Sequence, residues 1–254
     1  MAFIVRDGVK VYYEDHGSGP GVMLSHGYSL SSTMWRDQVA ALADRYRVMT
    51  WDMRGHGQSD YPDDGAAYSE AHSVADMAAV LDACGLQSAA IGGLSLGGCV
   101  SLAFHLAHPD RTDALMLFDT GHGFKKDAAR ADWNETAHAH AARFDDEGLG
   151  GLKYRSDGRD PGHRDATGLA HAARGMLTQA DDSAIQSLPN IAVPTLVLVS
   201  ADDVRFHAAT DYMAGKIPGA QKVVIEDADH VANFDQPEAF NVAVGDFLDG
   251  CLLQ

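Results

Sequence analysis

Residues 93–97 read Gly93-Leu94-Ser95-Leu96-Gly97, set between a short apolar run, Ala89-Ala90-Ile91, and a helix-like stretch from Leu96 to Ala107. This order constrains the fold more than any other part of the chain, because it asks for a strand, a sharp turn and a helix in succession. A serine on such a turn has a strained backbone, and Cβ atoms two positions to either side of it would collide. Glycine at 93 and 97 removes those atoms. The turn lifts the Ser95 hydroxyl clear of the sheet. It also aims the amide of Leu96, at the helix N-terminus, toward the place where an oxyanion would form. Taken alone, G-x-S-x-G also suits an ordinary glycine-rich loop. Its weight depends on what the rest of the chain supplies.

Seven further β-like runs accompany Ala89–Gly92. They are Phe3–Val5, Val9–Glu14, Val22–Ser25, Arg47–Trp51, Ala114–Phe118, Thr195–Ser200 and Lys222–Glu226. The later ones are nearly continuous in Val, Ile, Leu and Met, as strands buried on both faces must be. The first two are close enough to form a hairpin. Helices alternate with the strands: Val74, Met77 and Leu81 repeat at helical spacing within Ser69–Cys84, as do Phe240, Val244, Phe247 and Leu248 within Pro237–Leu248. The alternation predicts an α/β fold, a mostly parallel eight-stranded sheet with helices on both faces. From Gly121 to Gln186 the rhythm stops. That stretch, with scattered aromatics Phe124, Trp133, Phe144 and Tyr154, is expected to be a helical cap (121–186) inserted into a core formed by 1–120 and 187–254. A cap there would cover the carboxyl ends of the strands, where open α/β sheets bind ligands.

At 254 residues the chain suits one large domain with an insertion. Its net charge of −17 argues against nucleic-acid partners and anionic membrane surfaces. No apolar run approaches the roughly 18–20 residues of a membrane span, and the first residues lack a signal-peptide pattern, so a cytoplasmic protein is expected. Cys84, Cys99 and Cys251 are odd in number and widely spaced, giving neither a disulfide framework nor a metal pattern. Histidine pairs at 105/108 and 138/140 lack a third ligand nearby, so no metal is expected; attack by an activated serine needs no organic cofactor either.

A serine hydroxyl needs a base within hydrogen-bond reach, and the base needs an orienting carboxylate. His230, in Glu226-Asp227-Ala228-Asp229-His230-Val231, follows the last strand and falls on the same sheet edge as Ser95. Asp203, in Ser200-Ala201-Asp202-Asp203-Val204, follows the preceding strand. The chain order Ser, Asp, His is that of an α/β-hydrolase. Asp202, and Asp119 after the strand Ala114–Phe118, stay open as alternative acids. A second oxyanion donor is expected from the amide of Tyr28 in His26-Gly27-Tyr28, joining that of Leu96. His26 reads as a brace for that loop. Tyr28, Leu96, Val204, Val231 and the cap aromatics Trp133 and Phe144 are candidate pocket-lining residues.

Five stretches together carry a family resemblance: His26-Gly27-Tyr28; Asp52-Met53-Arg54-Gly55-His56-Gly57-Gln58-Ser59-Asp60; Gly93 to Gly98; Asp202-Asp203; and His230 followed by Gln236-Pro237-Glu238-Ala239-Phe240. The chain resembles α/β-hydrolase fold serine hydrolases over nearly its whole length, its core most nearly 3-oxoadipate enol-lactonases and small-molecule carboxylesterases. The resemblance implies an ester or lactone hydrolase working through an acyl-enzyme, with Asp52 and Arg54 as structural braces. Serine at 95 departs from the haloalkane dehalogenases and epoxide hydrolases, which use aspartate there. Ser29 and Val204 depart from the family, which often has proline at both places. Two other functions stay open. One is hydrolysis of C–C bonds in ring-fission products, although Val231 stands where those enzymes usually carry an aromatic. The other is a non-catalytic small-ligand receptor on the same scaffold. The expected partner is a small-molecule ester or lactone; oligomeric state is not legible.

Overall fold

The computed structural model describes residues 2–121, 123–152 and 160–253. Eight strands form one sheet in the order β1-β2-β4-β3-β5-β6-β7-β8. They are β1 (Ala2–Arg6), β2 (Val9–Gly17), β3 (Gly21–Ser25), β4 (Arg47–Trp51), β5 (Ala89–Leu94), β6 (Thr112–Phe118), β7 (Thr195–Ser200) and β8 (Gln221–Ile225). Strand β2 runs antiparallel to both its neighbours, β1 and β4. From β4 to β8 every pairing is parallel.

Side-chain alternation explains why β3, β5 and β7 are buried at every residue. Successive residues point to opposite faces, and both faces are covered. On one face Val22, Leu24, Val48, Met116 and Leu198 pack with Trp35, Phe240, Val244 and Phe247. These contacts hold α1 (Arg36–Leu42) and α9 (Pro237–Leu252) against the sheet. On the other face Met23, Met49, Trp51 and Ile91 meet Val74, Met77 and Leu81 of α2 (Glu70–Ala83) and Val100 and Phe104 of α3 (Leu96–Ala107). Each such large side chain contributes roughly 1.5–3 kcal/mol through burial. The start of α2 is fixed by Ser69, whose hydroxyl accepts the His72 amide at 3.1 Å.

Between β6 and β7 the described residues contain helices and no strand. The main ones are α4 (Asp127–Glu147), α5 (Ala166–Ala172) and α6 (Ser183–Ser187). Ala141 and Phe144 of α4 pack with Leu169, Ala170 and Ala173, and Tyr28 of the core reaches up to this cluster. Helix α6 straddles position 186, the expected end of the insertion. Its Ile185 packs with Leu115, Leu117 and Val197 of the sheet, so this last turn belongs to the core layer. Tyr154 lies outside the described residues. The remaining helices are α7 (Val204–Lys216), which follows β7, and α8 (Ala232–Asp235), which follows β8. Among the described residues, no helix is long and apolar enough to cross a membrane.

Candidate active site

The chain leaves β5 through Ser95, whose backbone sits at φ 56°, ψ −115°. That is a left-handed region costly for a residue with a Cβ. The turn is closed by the Ser95 amide, which donates to the Phe118 carbonyl at 2.9 Å. The Ser95 carbonyl accepts from the Thr120 hydroxyl at 2.6 Å and from Gly98 and Cys99 amides at 3.0 and 3.1 Å. The flanking glycines are obligatory on steric grounds. A Cβ at Gly93 would lie 2.4 Å from the Gly97 carbonyl carbon, and one at Gly97 would lie 2.1 Å from the Ser25 oxygen. A third constraint is Gly98, whose Cβ would meet the Thr120 side chain at 2.6 Å, a contact the sequence could not show.

Asp203 is buried at the first turn of α7, and its Oδ2 accepts from His230 Nδ1 at 2.5 Å. This bond fixes the tautomer: the proton sits on Nδ1, and Nε2 is left as a base. Burial works to raise the Asp203 carboxyl. The hydrogen bond and charge of His230, with that of Arg205, outweigh it and hold the group below the usual carboxylate range. The other two acids go elsewhere. Asp202 is exposed, because neighbouring residues at the strand exit point opposite ways. Asp119 is buried at the end of β6 with φ 42°, and accepts from the Ser200 amide at 2.7 Å and the Ser200 hydroxyl at 2.8 Å. Burial pushes its carboxyl up to about 6, against the pull of the Ser200 bonds and His230.

The Gly27–Ser29 turn faces the nucleophile turn across the β3–β5 pairing, where Ser25 is opposite Gly93. Leu30 N donates to Gly27 O, Ser29 N to His56 Nε2, Ser95 N to Phe118 O and Gly98 N to Ser95 O. These bonds do not use the amides of Tyr28 and Leu96. His26 is a brace: its Nδ1–H donates to Gly27 O at 2.8 Å, and its Nε2 accepts the Met53 amide at 2.9 Å. Burial pushes it down to about 4 and keeps it neutral. Asp52 likewise accepts the amides of Ser32 and Gln58 at 2.6 and 2.8 Å. Arg54 is buried in a paired contact with Asp76, at 2.7 and 3.0 Å.

The expected pocket residues separate. Tyr28 is partly buried, and its hydroxyl donates to the Leu169 carbonyl at 2.9 Å. Trp133 donates its indole N–H to the Leu177 carbonyl at 2.7 Å. The other three differ in exposure. Phe144, 2% exposed, is spent on the cap's own core. Val231, 5% exposed, packs into the sheet cluster. Val204 is 71% exposed, because the first turn of α7 directs it outward. Two neighbours of Asp203 carry no sequence motif. Phe206 stacks on the His230 ring, and Arg205 Nε donates to Asp203 Oδ1 at 3.0 Å. Among the described residues, no group of three or more His, Cys, Asp or Glu side chains is arranged to hold a metal ion.

A family model described as the alpha/beta hydrolase fold matches residues 20–237, and the chain belongs to that family. It is 30% identical to 3-oxoadipate enol-lactonase 1 of Acinetobacter baylyi, with 92% of this chain and 91% of that protein covered. A thermophilic esterase from Thermogutta terrifontis superposes with a TM-score of 0.85 at 29% identity, over 98% of this chain and 97% of the other. The enol-lactonase from Burkholderia xenovorans LB400 does so with a TM-score of 0.76 at 28% identity, over 97% and 99%. Family and relatives together support a hydrolytic function.

Proposed function

We propose that this hydrolase cleaves a small-molecule carboxylic ester or lactone, with Ser95 as nucleophile, His230 as general base and Asp203 as the orienting acid. The observation that carries the proposal is the His230 Nδ1–Asp203 Oδ2 bond of 2.5 Å, made on the sheet edge from which Ser95 projects. It leaves His230 Nε2 free to take the Ser95 proton as Oγ attacks the carbonyl carbon. The amides of Tyr28 and Leu96 donate to the oxyanion of the tetrahedral intermediate. His230 then gives its proton to the departing alkoxide oxygen, which leaves as an alcohol. In a lactone this group stays tethered to the acyl chain. Water attacks the acyl-enzyme by the reverse proton path and releases the acid. The lactone side of the proposal draws on the two enol-lactonase relatives, the open-ester side on the esterase.

The test is hydrolysis of p-nitrophenyl acetate by wild type and Ser95→Ala side by side. Turnover in wild type with a loss on the order of 10⁴-fold or more in the variant is the expected result. A Ser95→Ala protein as active as wild type would remove the acyl-enzyme route.

A further inference from the structure

Six contacts tie the stretch from His163 to Leu169 to the two loops beside the nucleophile turn. His163 Nδ1 accepts the Gly57 amide at 3.0 Å. The His163 ring meets the His56 ring edge to face, with centroids 5.5 Å apart. His56 in turn donates from Nδ1 to the Arg54 carbonyl at 3.0 Å and accepts the Ser29 amide on Nε2 at 3.3 Å. Arg164 donates to the Ser59 carbonyl at 2.5 Å and lies over the Tyr61 ring at 4.9 Å. Gly168 passes so near Gly55 that a Cβ on it would lie 2.9 Å from the Gly55 Cα. Leu169 offers its carbonyl to the Tyr28 hydroxyl at 2.9 Å. The bonds at His163 and His56 have fixed polarity, since backbone N–H groups only donate. Both rings are therefore neutral acceptors on the nitrogen concerned. Ser29 holds φ at 57°, a conformation a serine keeps only where its surroundings impose it.

Tyr28 is gripped from both ends by this arrangement. Its side chain is tied to Leu169, and the amide that follows it is tied to His56, on which His163 leans. We propose that the cap segment His163–Leu169 is a strut that holds the Gly27–Ser29 loop in shape, and that His163 is thereby a positioning residue for the Tyr28 amide. The shape of the oxyanion loop then depends on a stretch of chain more than a hundred residues away. A catalytic consequence follows, because an amide displaced by a fraction of an ångström donates poorly to an oxyanion. The effect of His163 on turnover rests on the ester-hydrolase reading above; its effect on the loop does not.

The test compares wild type, His163→Ala, His163→Asn and Tyr28→Phe by hydrogen–deuterium exchange of the 22–34 stretch and by p-nitrophenyl acetate kinetics. In His163→Ala, exchange at 27–30 should speed up about tenfold and kcat should fall about tenfold, with KM within twofold. Asn offers an acceptor oxygen where Nδ1 stood, and should recover most of both. Tyr28→Phe, which cuts the other tie, should show the same paired change, and it decides the matter with His163→Asn if the alanine variant does not fold. Unchanged exchange at 27–30 in His163→Ala and Tyr28→Phe overturns the strut. Faster exchange with unchanged kcat overturns the positioning role. A wild type inactive on the ester, with exchange still accelerated by His163→Ala, removes the ester-hydrolase reading and the positioning role and leaves the strut standing.

Discussion

Phe206 lies against His230 nearly face to face, with ring centroids 5.1 Å apart and planes 20° from parallel. In the proposed mechanism His230 becomes an imidazolium while the tetrahedral intermediate exists. A cation over an aromatic face is stabilised by roughly 0.5–1 kcal/mol at a partly exposed site. Replacing Phe206 by Leu keeps bulk and removes the π face. The expected outcome is a two- to fivefold lower kcat on p-nitrophenyl acetate with little change in KM, recovered by Phe206→Tyr. A Leu variant as fast as wild type would reduce the stack to packing.

Asp203 and Asp119 end neighbouring strands and are both buried, yet only Asp203 bonds to His230. Asp203→Asn should cost on the order of 10⁴-fold in kcat, because the imidazole loses the partner that fixes its tautomer. Asp119→Asn should retain kcat within about tenfold, since its oxygens are committed to Ser200. Arg205, with an exposed side chain beside Asp203, should matter little: Arg205→Ala is expected to stay within about threefold. Steady-state kinetics of the three variants check this set, and the reverse order for the two aspartates would reassign the acid.

The parts of this molecule legible in the sequence are those whose signal is local. Arg47–Trp51 and Thr195–Ser200 are predicted to the residue, because each is a mostly apolar run, as a strand covered on both faces requires, with its ends marked by a change to polar residues. Edge strand β8 is displaced by one residue from its expected span. It is mostly solvated, so nothing in its residue types marks the ends. Helix α9 runs on to Leu252 past the expected Leu248, since Asp249 and Gly250 interrupt the apolar period without breaking the backbone. Helix α4 is unreadable for a different reason: its buried side is Ala137, Ala141 and Phe144, too small a stripe to show against its charged remainder. Ser95, Asp203 and His230 are proposed from strand ends and chain order, and of these the fold brings Asp203 and His230 into direct contact. Phe206, Thr120 and His163 have no spacing relative to their partners that a sequence could display, because each contact exists only after strands and cap have come together.

Two groups, the partly buried His163 and the buried Asp119, should make stability depend on pH with opposite signs. Burial holds His163 at about 4, against about 6.5 in an unfolded chain. Between those values the unfolded state binds more protons, so this histidine subtracts stability as pH falls, by roughly 1.4 kcal/mol per unit. Asp119 is held at about 6, above its unfolded value, so below pH 6 the folded state takes up the proton and this carboxyl adds stability as pH falls. Relative to wild type, His163→Asn should therefore lose less as pH goes from 7 to 4.5, and Asp119→Asn should lose more. Urea unfolding of the three proteins at pH 7, 5.5 and 4.5 measures both slopes; a variant whose slope parallels wild type would contradict the environment of the residue it replaces.

Gly97 and Gly215 are both helix glycines, and alanine should act on them in opposite directions. At Gly97 the added Cβ would stand 2.1 Å from the Ser25 oxygen and 2.7 Å from the His26 oxygen. Both are backbone atoms at the end of β3, and neither can retreat without opening the Ser25–Gly93 register that aligns the Tyr28 loop with Ser95. Overpacking against backbone leaves no rotamer to relieve it, so Gly97→Ala should cost about 3 kcal/mol or more and abolish esterase activity in whatever folds. Gly215, in the last turn of α7, has nothing within 4 Å of its would-be Cβ. Alanine there lowers the entropy of the unfolded chain and should stabilise by about 0.5–1 kcal/mol with kcat unchanged. Chemical denaturation and p-nitrophenyl acetate assays of the two variants separate the cases. A well-folded, active Gly97→Ala protein would mean that the β3 and β5 turns are not pressed together as closely as the fold requires.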